Sequence, residues 1–365
     1  MSCDYFSLAH SGIQSLRPYQ PGKPIEELER ELGISGIIKL ASNENPLGLA
    51  ESAKQALSEV LPELSRYPDG NGFLLKDALQ EKISVSSDQI TLGNGSNDVL
   101  DLLARTFAGP GKEVVFSEYA FAVYPIVTMA VDATPVVVPA QEWGHDLDAM
   151  AKAITSKTAL IFLANPNNPT GTYFDKSTFE AFMGKVPENV VVVLDEAYFE
   201  YVDKTDYPSG LSYLDSFPNL VVTRTFSKAY GLAGLRVGYS VSNPNIADLL
   251  NRVRQPFNVN IPAIVAATAV LDDDVYLKQS LEVNTKGLSQ LEQGLSSLGL
   301  DAIPSVGNFI TVDFSRDAIE INARLLRNGV IVRPVANYNM PTCLRISVGL
   351  PDENKRFLDV LKESL

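Results

Sequence analysis

Val190, Val191, Val192, Val193 and Leu194 form a run that is apolar at every position and stops at Asp195. A strand with one face in water alternates apolar and polar residues. A strand that is apolar throughout must be covered on both faces, as parallel strands between layers of helices are. Similar β-branched runs recur at 89–92, 113–116, 135–138, 159–163, 220–223 and 236–241, with helix-length amphipathic segments between them. This alternation predicts an α/β fold whose large domain holds one mostly parallel open sheet covered by helices. Functional groups then belong at the strand ends, where loops open onto a shared crevice. After Asp272, Asp273 and Asp274 the pattern changes to a long helical stretch, a strand over 308–314, a helix over 317–327, strands near Val330 and Cys343, and a closing helix. These elements predict a smaller α+β domain. Prolines at 18, 21 and 24 and a weak strand signal make the start of the chain an arm packed on another surface. The expected division is an arm over 1–34, a large domain over 35–270 and a small domain over 271–365.

A chain of 365 residues, 45% hydrophobic, can bury more than one core of this kind. Its net charge of -14 argues against a nucleic-acid partner, because such binding needs a basic surface to displace counterions. The longest apolar stretch, 261–271, is too short to cross a bilayer, and the first thirty residues lack a basic start followed by an apolar run. A cytoplasmic protein without a membrane partner is expected. Cys3 and Cys343 lie too far apart in sequence to suggest a disulfide framework or a metal-binding spacing, and no metal is expected. His10 and His145 receive no catalytic role.

The chemistry concentrates at the ends of the apolar runs. Lys228 follows Thr225, Phe226 and Ser227 just beyond one run, and Arg236 stands eight residues later. An isolated Ser-Lys pair is ordinarily a solvated loop. Here two hydroxyls and an arginine surround the amine, which suits a phosphorylated aldehyde cofactor: Lys228 as covalent anchor, with Thr225, Ser227 and Arg236 on the phosphate. Asp195 ends a wholly apolar strand, where an unpaired carboxylate is costly, so it calls for a cationic partner such as a protonated pyridine nitrogen; a helix N-cap is the plainer alternative. Tyr198 could donate to a ring oxygen. The stretch Asn165-Pro166-Asn167-Asn168-Pro169-Thr170-Gly171 specifies a rigid turn that can aim Asn168 at the same oxygen. Gly93, Gly95, Ser96 and Asn97 sit at a strand-to-helix junction whose backbone N–H groups can face a phosphate, though simple capping explains them as well.

In this order the motifs resemble the fold type I pyridoxal-phosphate-dependent aminotransferases, and among them the histidinol-phosphate aminotransferases. The resemblance covers nearly the whole chain. Its most specific pieces are Leu40-Ala41-Ser42-Asn43-Glu44-Asn45-Pro46-Leu47-Gly48, Arg66-Tyr67-Pro68-Asp69, the Asn-Asn-Pro-Thr-Gly turn, Asp195 to Tyr198, and Ser227-Lys228 with Arg236. It implies pyridoxal 5′-phosphate as cofactor, with Lys228, Asp195 and Tyr198 catalytic. It also implies that Tyr119 stacks on the cofactor ring and that Tyr67 reaches the phosphate of a neighbouring subunit, hence a homodimer with shared sites. Gly95-Ser96-Asn97 stands where many relatives carry Gly-Ala-Asp or Gly-Ser-Asp, which leaves the Asn97 side chain without an assigned contact.

Substrate choice rests on two arginines bordered by apolar residues, Arg333 and Arg345. Such arginines either pair with structural carboxylates or bind an anionic ligand. By the resemblance Arg345 takes a substrate carboxylate or phosphate, with Arg333 and Tyr19 as accessory phosphate contacts and Asn168 also on the substrate side. The implied reaction joins an amino donor that is a phosphate ester, L-histidinol phosphate, to a 2-oxo acid, 2-oxoglutarate. An aromatic amino-acid aminotransferase on the same scaffold is the alternative.

Overall fold

The protein is described by a computed structural model covering residues 3–365, so residues 1 and 2 of the expected arm lie outside the described residues. The strands in chain order are β1 (Ile38–Leu40), β2 (Ile90–Gly93), β3 (Glu113–Ser117), β4 (Thr134–Val138), β5 (Thr158–Ala164), β6 (Val191–Asp195), β7 (Leu220–Thr225), β8 (Gly238–Ser242), β9 (Asp301–Ile303), β10 (Phe309–Asp313), β11 (Val330–Pro334) and β12 (Cys343–Ser347). The larger sheet has seven strands in the order β2-β8-β7-β6-β5-β3-β4. Only β8 runs against its neighbours, pairing antiparallel with β2 and β7. The fold is therefore the expected α/β arrangement, and each apolar run forms a strand at or within a few residues of its expected place.

Consecutive apolar residues are buried on opposite faces, as the strand pleat requires. Leu160, Phe162 and Val193 pack with the helices Ser96–Phe107 and Val123–Ala130. Ile161, Leu163, Val192 and Leu194 pack on the other face with the helices Leu147–Lys152 and Lys176–Met183. Because both faces are closed, the parallel strands β3, β5, β6 and β7 expose only their ends, and their carboxyl ends lie side by side. The apolar helix Ile261–Leu271 is buried against the β2–β8 edge, and among the described residues no helix is long and apolar enough to cross a membrane.

The second sheet runs β1-β11-β12-β10-β9 and packs on the helices Asp274–Ser297, Ile319–Arg327 and Pro351–Ser364. One element departs from expectation. β1 lies within the stretch 35–270 assigned by sequence to the large domain, yet it pairs in parallel with β11, Ile38 opposite Val330. Three residues carry too little pattern to reveal their sheet. The pairing has a consequence for the site, because it places the chain that follows β1, Ala41 to Asn43, between the two sheets.

Candidate active site

The carboxyl ends of β5, β6 and β7, the start of the helix Ser96–Phe107 and the arginines of β11 and β12 line one open cleft of about 900 Å³. Lys228 follows β7 and is largely buried, its Nζ donating to the Ser42 carbonyl at 3.1 Å. Burial, with Arg345 and Arg236 nearby, pushes its amine down to about 7. Such an amine is both nucleophile and base near neutrality, where an ordinary lysine is neither. The unfolded chain binds that proton more tightly, so this lysine costs stability below pH 7 and ceases to do so as the pH rises towards 10.5. In the cofactor-free protein, reductive methylation followed by mass spectrometry should show Lys228 reactivity rising through pH 7. An inflection above pH 9 would contradict the assignment.

Asp195 is 4% exposed. It ends β6 without capping a helix, and the donors to it are neutral: Tyr124 Oη to Oδ2 at 2.9 Å and Thr223 Oγ1 to Oδ1 at 3.0 Å. Burial pushes its carboxyl up against the opposing pull of those donors. The cationic partner expected from the sequence is not among the described residues. A buried carboxylate held by two hydroxyls on one side and facing a cleft on the other fits a cationic ring nitrogen. Strand alternation explains the layout of β7: Thr223 reaches Asp195, while Arg224 turns to the opposite face and pairs with buried Glu196 at 2.7 Å.

Tyr198 Oη accepts from Asn43 Nδ2 at 2.9 Å and Asn168 Nδ2 at 3.1 Å. Burial pushes its phenol up to about 12, so it stays protonated and able to donate. The proline-bounded turn is tied down by Asn167, whose side chain donates to the Tyr119 carbonyl at 3.0 Å and to Thr170 Oγ1 at 2.8 Å. Asn168 thereby bridges two parts of the cleft, accepting from Arg345 Nη1 with its oxygen and donating to Tyr198 with its nitrogen.

A phosphate-sized corner lies beside the helix Ser96–Phe107. Arg236 Nη1 donates to Ser227 Oγ at 3.4 Å, and the Ser227 amide donates to Thr225 Oγ1 at 3.1 Å. Gly95 precedes this helix with φ 80°, and a Cβ there would run into the Arg236 guanidinium, so only glycine lets the helix start and the arginine converge. Ser96 and Asn97 line the cleft, whereas Gly95 supports it without lining it.

The opposite wall carries the two arginines. Arg333 and Arg345 stand directly across from each other on the antiparallel strands β11 and β12. Like charges in that register repel. Neither meets a carboxylate: Arg345 donates to Asn168 and to the Ala41 carbonyl at 2.8 Å, leaving its buried Nε without a partner, and Arg333 donates to the Gln20 carbonyl at 2.8 Å. Tyr19 lines the same wall, its ring 5.6 Å from the Arg333 guanidinium.

One expected residue lies elsewhere. Tyr119 is not among the residues that line the cleft; it packs on Trp143 at 5.4 Å and against the buried cluster that holds Val335 and Tyr338, while Phe121, two residues on, lines the cleft instead. The chain turns between Ser117 and the helix Val123–Ala130, and that turn reverses which aromatic points inward. Tyr67 is 80% exposed and stacks on Phe257 at 4.7 Å, away from the cleft of its own chain. Sequence reasoning missed Asn43, Tyr124, Thr223, Phe121 and Tyr338. Asn43 was within reach, in the polar run that follows β1, but Tyr124 reads as an ordinary apolar-face residue of a helix. His145 is half-buried outside the cleft, its Nε2 2.9 Å from the Ala164 carbonyl, and desolvation pushes it down to about 4.

The family model for aminotransferase class I and II matches residues 35–361. Histidinol-phosphate aminotransferase 2 of Pseudomonas fluorescens (strain Pf-5) is 59% identical over 367 residues, covering 100% of this chain and 99% of that protein. Histidinol-phosphate aminotransferase 2 of Pseudomonas aeruginosa is 59% identical over 364 residues, covering 99% of each. The structure of histidinol-phosphate aminotransferase from Sinorhizobium meliloti in complex with pyridoxal-5′-phosphate superposes with a TM-score of 0.90 at 31% identity, covering 97% of this chain and 96% of that one.

Proposed function

The chain belongs to the class I and II aminotransferases, and from that premise we propose that it uses pyridoxal 5′-phosphate to transfer the amino group of L-histidinol phosphate to 2-oxoglutarate. The products are imidazole-acetol phosphate and glutamate, a step of histidine biosynthesis. The names of the relatives support this reading. The observation that carries it is the pair of guanidiniums, Arg333 and Arg345, opposed in register with no carboxylate between them. That arrangement favours an anionic ligand, and a planar fork can engage the phosphate of one substrate or the carboxylate of the other.

Bound pyridoxal phosphate supplies an electron-withdrawing ring that stabilises negative charge on the substrate carbon. The residues of the chain do the rest. Lys228 Nζ would anchor the cofactor and, when its amine is free, would serve as the base that takes and returns the proton of the substrate carbon. Asp195 holds positive charge at the ring nitrogen. Tyr198 and Asn168 orient the ring through its oxygen, and Phe121 covers a face of it. Thr225, Ser227, Arg236 and the backbone of Ser96 and Asn97 hold the cofactor phosphate, with Gly95 giving the arginine room beside the helix start. Arg345 takes the remote anion of either substrate, with Arg333 and Tyr19 as additional phosphate contacts. A homodimer with shared sites belongs to the same reading, supported by the exposure of Tyr67 beside exposed Phe73 and Leu74; Tyr67 then reaches the neighbour's phosphate. The division into arm, large domain and small domain, and a cytoplasmic location, complete it.

Arg345→Ala should impair both half-reactions by about 2 to 5 kcal/mol each, the cost of truncating a buried charged contact, and Arg345→Lys should recover part of it. Arg333→Ala should weaken the histidinol-phosphate half-reaction more than the glutamate one. Single-turnover rates with each donor decide the matter. Equal wild-type rates with phenylalanine and histidinol phosphate, with Arg333→Ala harmless to both, would overturn the substrate assignment in favour of an aromatic amino-acid aminotransferase.

A further inference from the structure

The arm is fastened by a contact remote from the reacting groups. Asp132, just past the helix Val123–Ala130, adopts φ 56°. Its carboxylate accepts from the Gly12 amide at 2.7 Å and Ser11 Oγ at 3.1 Å, and its other oxygen pairs with His10 Nδ1 at 2.8 Å. Gly12 comes so close to this helix end that a Cβ there would overlap the Met129 carbonyl. Glycine on the arm and aspartate just past the helix thus form a matched joint, with three donors converging on one carboxylate.

From that joint the chain runs through the short helix Ser11–Ser15 and then past Pro18 and Pro21, whose rings fix φ and limit how far the segment can wander. It arrives at the cleft with Tyr19 and Gly22 in the wall and the Gln20 carbonyl on Arg333. Tyr19 is 53% exposed, so little packing holds it there apart from these end contacts.

We propose that Asp132 is a positioning residue for the phosphorylated donor: by fixing residues 10–12 it holds Tyr19 and the Gln20 carbonyl against Arg333 and so sets the affinity of the anion-binding wall from outside the cleft. The inference rests on the assignment of that wall to a substrate phosphate. Its physical basis is population. A segment that is in place only a fraction of the time lowers apparent affinity by that fraction, and leaves chemistry in the occupied state unchanged.

The holoenzyme variants Asp132→Ala and Gly12→Ala break the joint from opposite sides. Each should raise KM for histidinol phosphate on the order of tenfold, as expected if the arm is in place about a tenth of the time, with kcat within about twofold and the 2-oxoglutarate KM little changed. The double variant should be no worse than either single one, because the joint can be broken only once. Asp132→Asn, which keeps an acceptor for the Gly12 amide, should recover part of the affinity. Hydrogen exchange at the amides of Gln14 and Leu16, which donate to the His10 and Ile13 carbonyls beside the joint, measured without substrate, should accelerate in both alanine variants. Unchanged exchange, unchanged donor KM, or equal losses for both substrates would overturn the proposal. A wild-type enzyme that rejects histidinol phosphate would instead defeat the substrate assignment, and the exchange measurement would still judge the joint.

Discussion

Lys228→Ala is expected to lose turnover by at least about 10,000-fold while still binding pyridoxal phosphate, because the mutation removes the covalent anchor and the general base together. The contacts proposed for the phosphate, Thr225, Ser227, Arg236 and the start of the helix Ser96–Phe107, do not involve the amine. Loss of Lys228 also removes a buried amine whose protonation burial opposes, so the variant should fold at least as stably as the wild type below pH 7. Equilibrium dialysis of the cofactor beside single-turnover rates separates the two effects. Retained turnover would show that another group moves the proton, and complete loss of cofactor binding would show that the phosphate corner is misassigned.

Asp195→Asn is expected to cost about 3 to 5 kcal/mol in the chemical step, since it leaves a buried cationic nitrogen without its counter-charge. An amide can still hydrogen-bond there but cannot favour the protonated ring. Tyr124 and Thr223 both offer hydroxyls that can accept as well as donate, so the side chain keeps its place. Burial, with the charge of Glu196 beside it, pushes the Asp195 carboxyl up, so at neutral pH its charge costs the cofactor-free protein stability, and the amide relieves that cost. The cofactor-free variant should therefore melt no lower than the cofactor-free wild type, whereas turnover falls by roughly two to four orders of magnitude. Near-normal turnover would count against the charge at Asp195 having a part in the reaction.

What the sequence revealed followed from how local each signal is. The all-apolar run ending at Asp195 announces a strand covered on both faces, and both faces of β6 are covered. Lys228, Asn168 and Arg236 stand in glycine- and proline-marked turns whose direction is set within a few residues, and all three reach the cleft. β1 escaped because three residues do not reveal a partner 292 positions along the chain, Val330 opposite Ile38 being chosen by tertiary packing. Tyr119 and Phe121 were exchanged because both are aromatic and the intervening turn, which decides between them, has no periodicity. Tyr124 lies on an apolar helix and shows its task only when β6 brings Asp195 to its hydroxyl. The joint between Gly12 and Asp132 is likewise silent in sequence, a glycine and an aspartate 120 residues apart.

The central claim is that Lys228 carries the cofactor, and borohydride reduction of the holoenzyme followed by peptide mapping tests it most directly. The account predicts one labelled peptide, the one containing Lys228, and no label in Lys228→Ala treated alike. Label on any other lysine of the wild-type protein would contradict it.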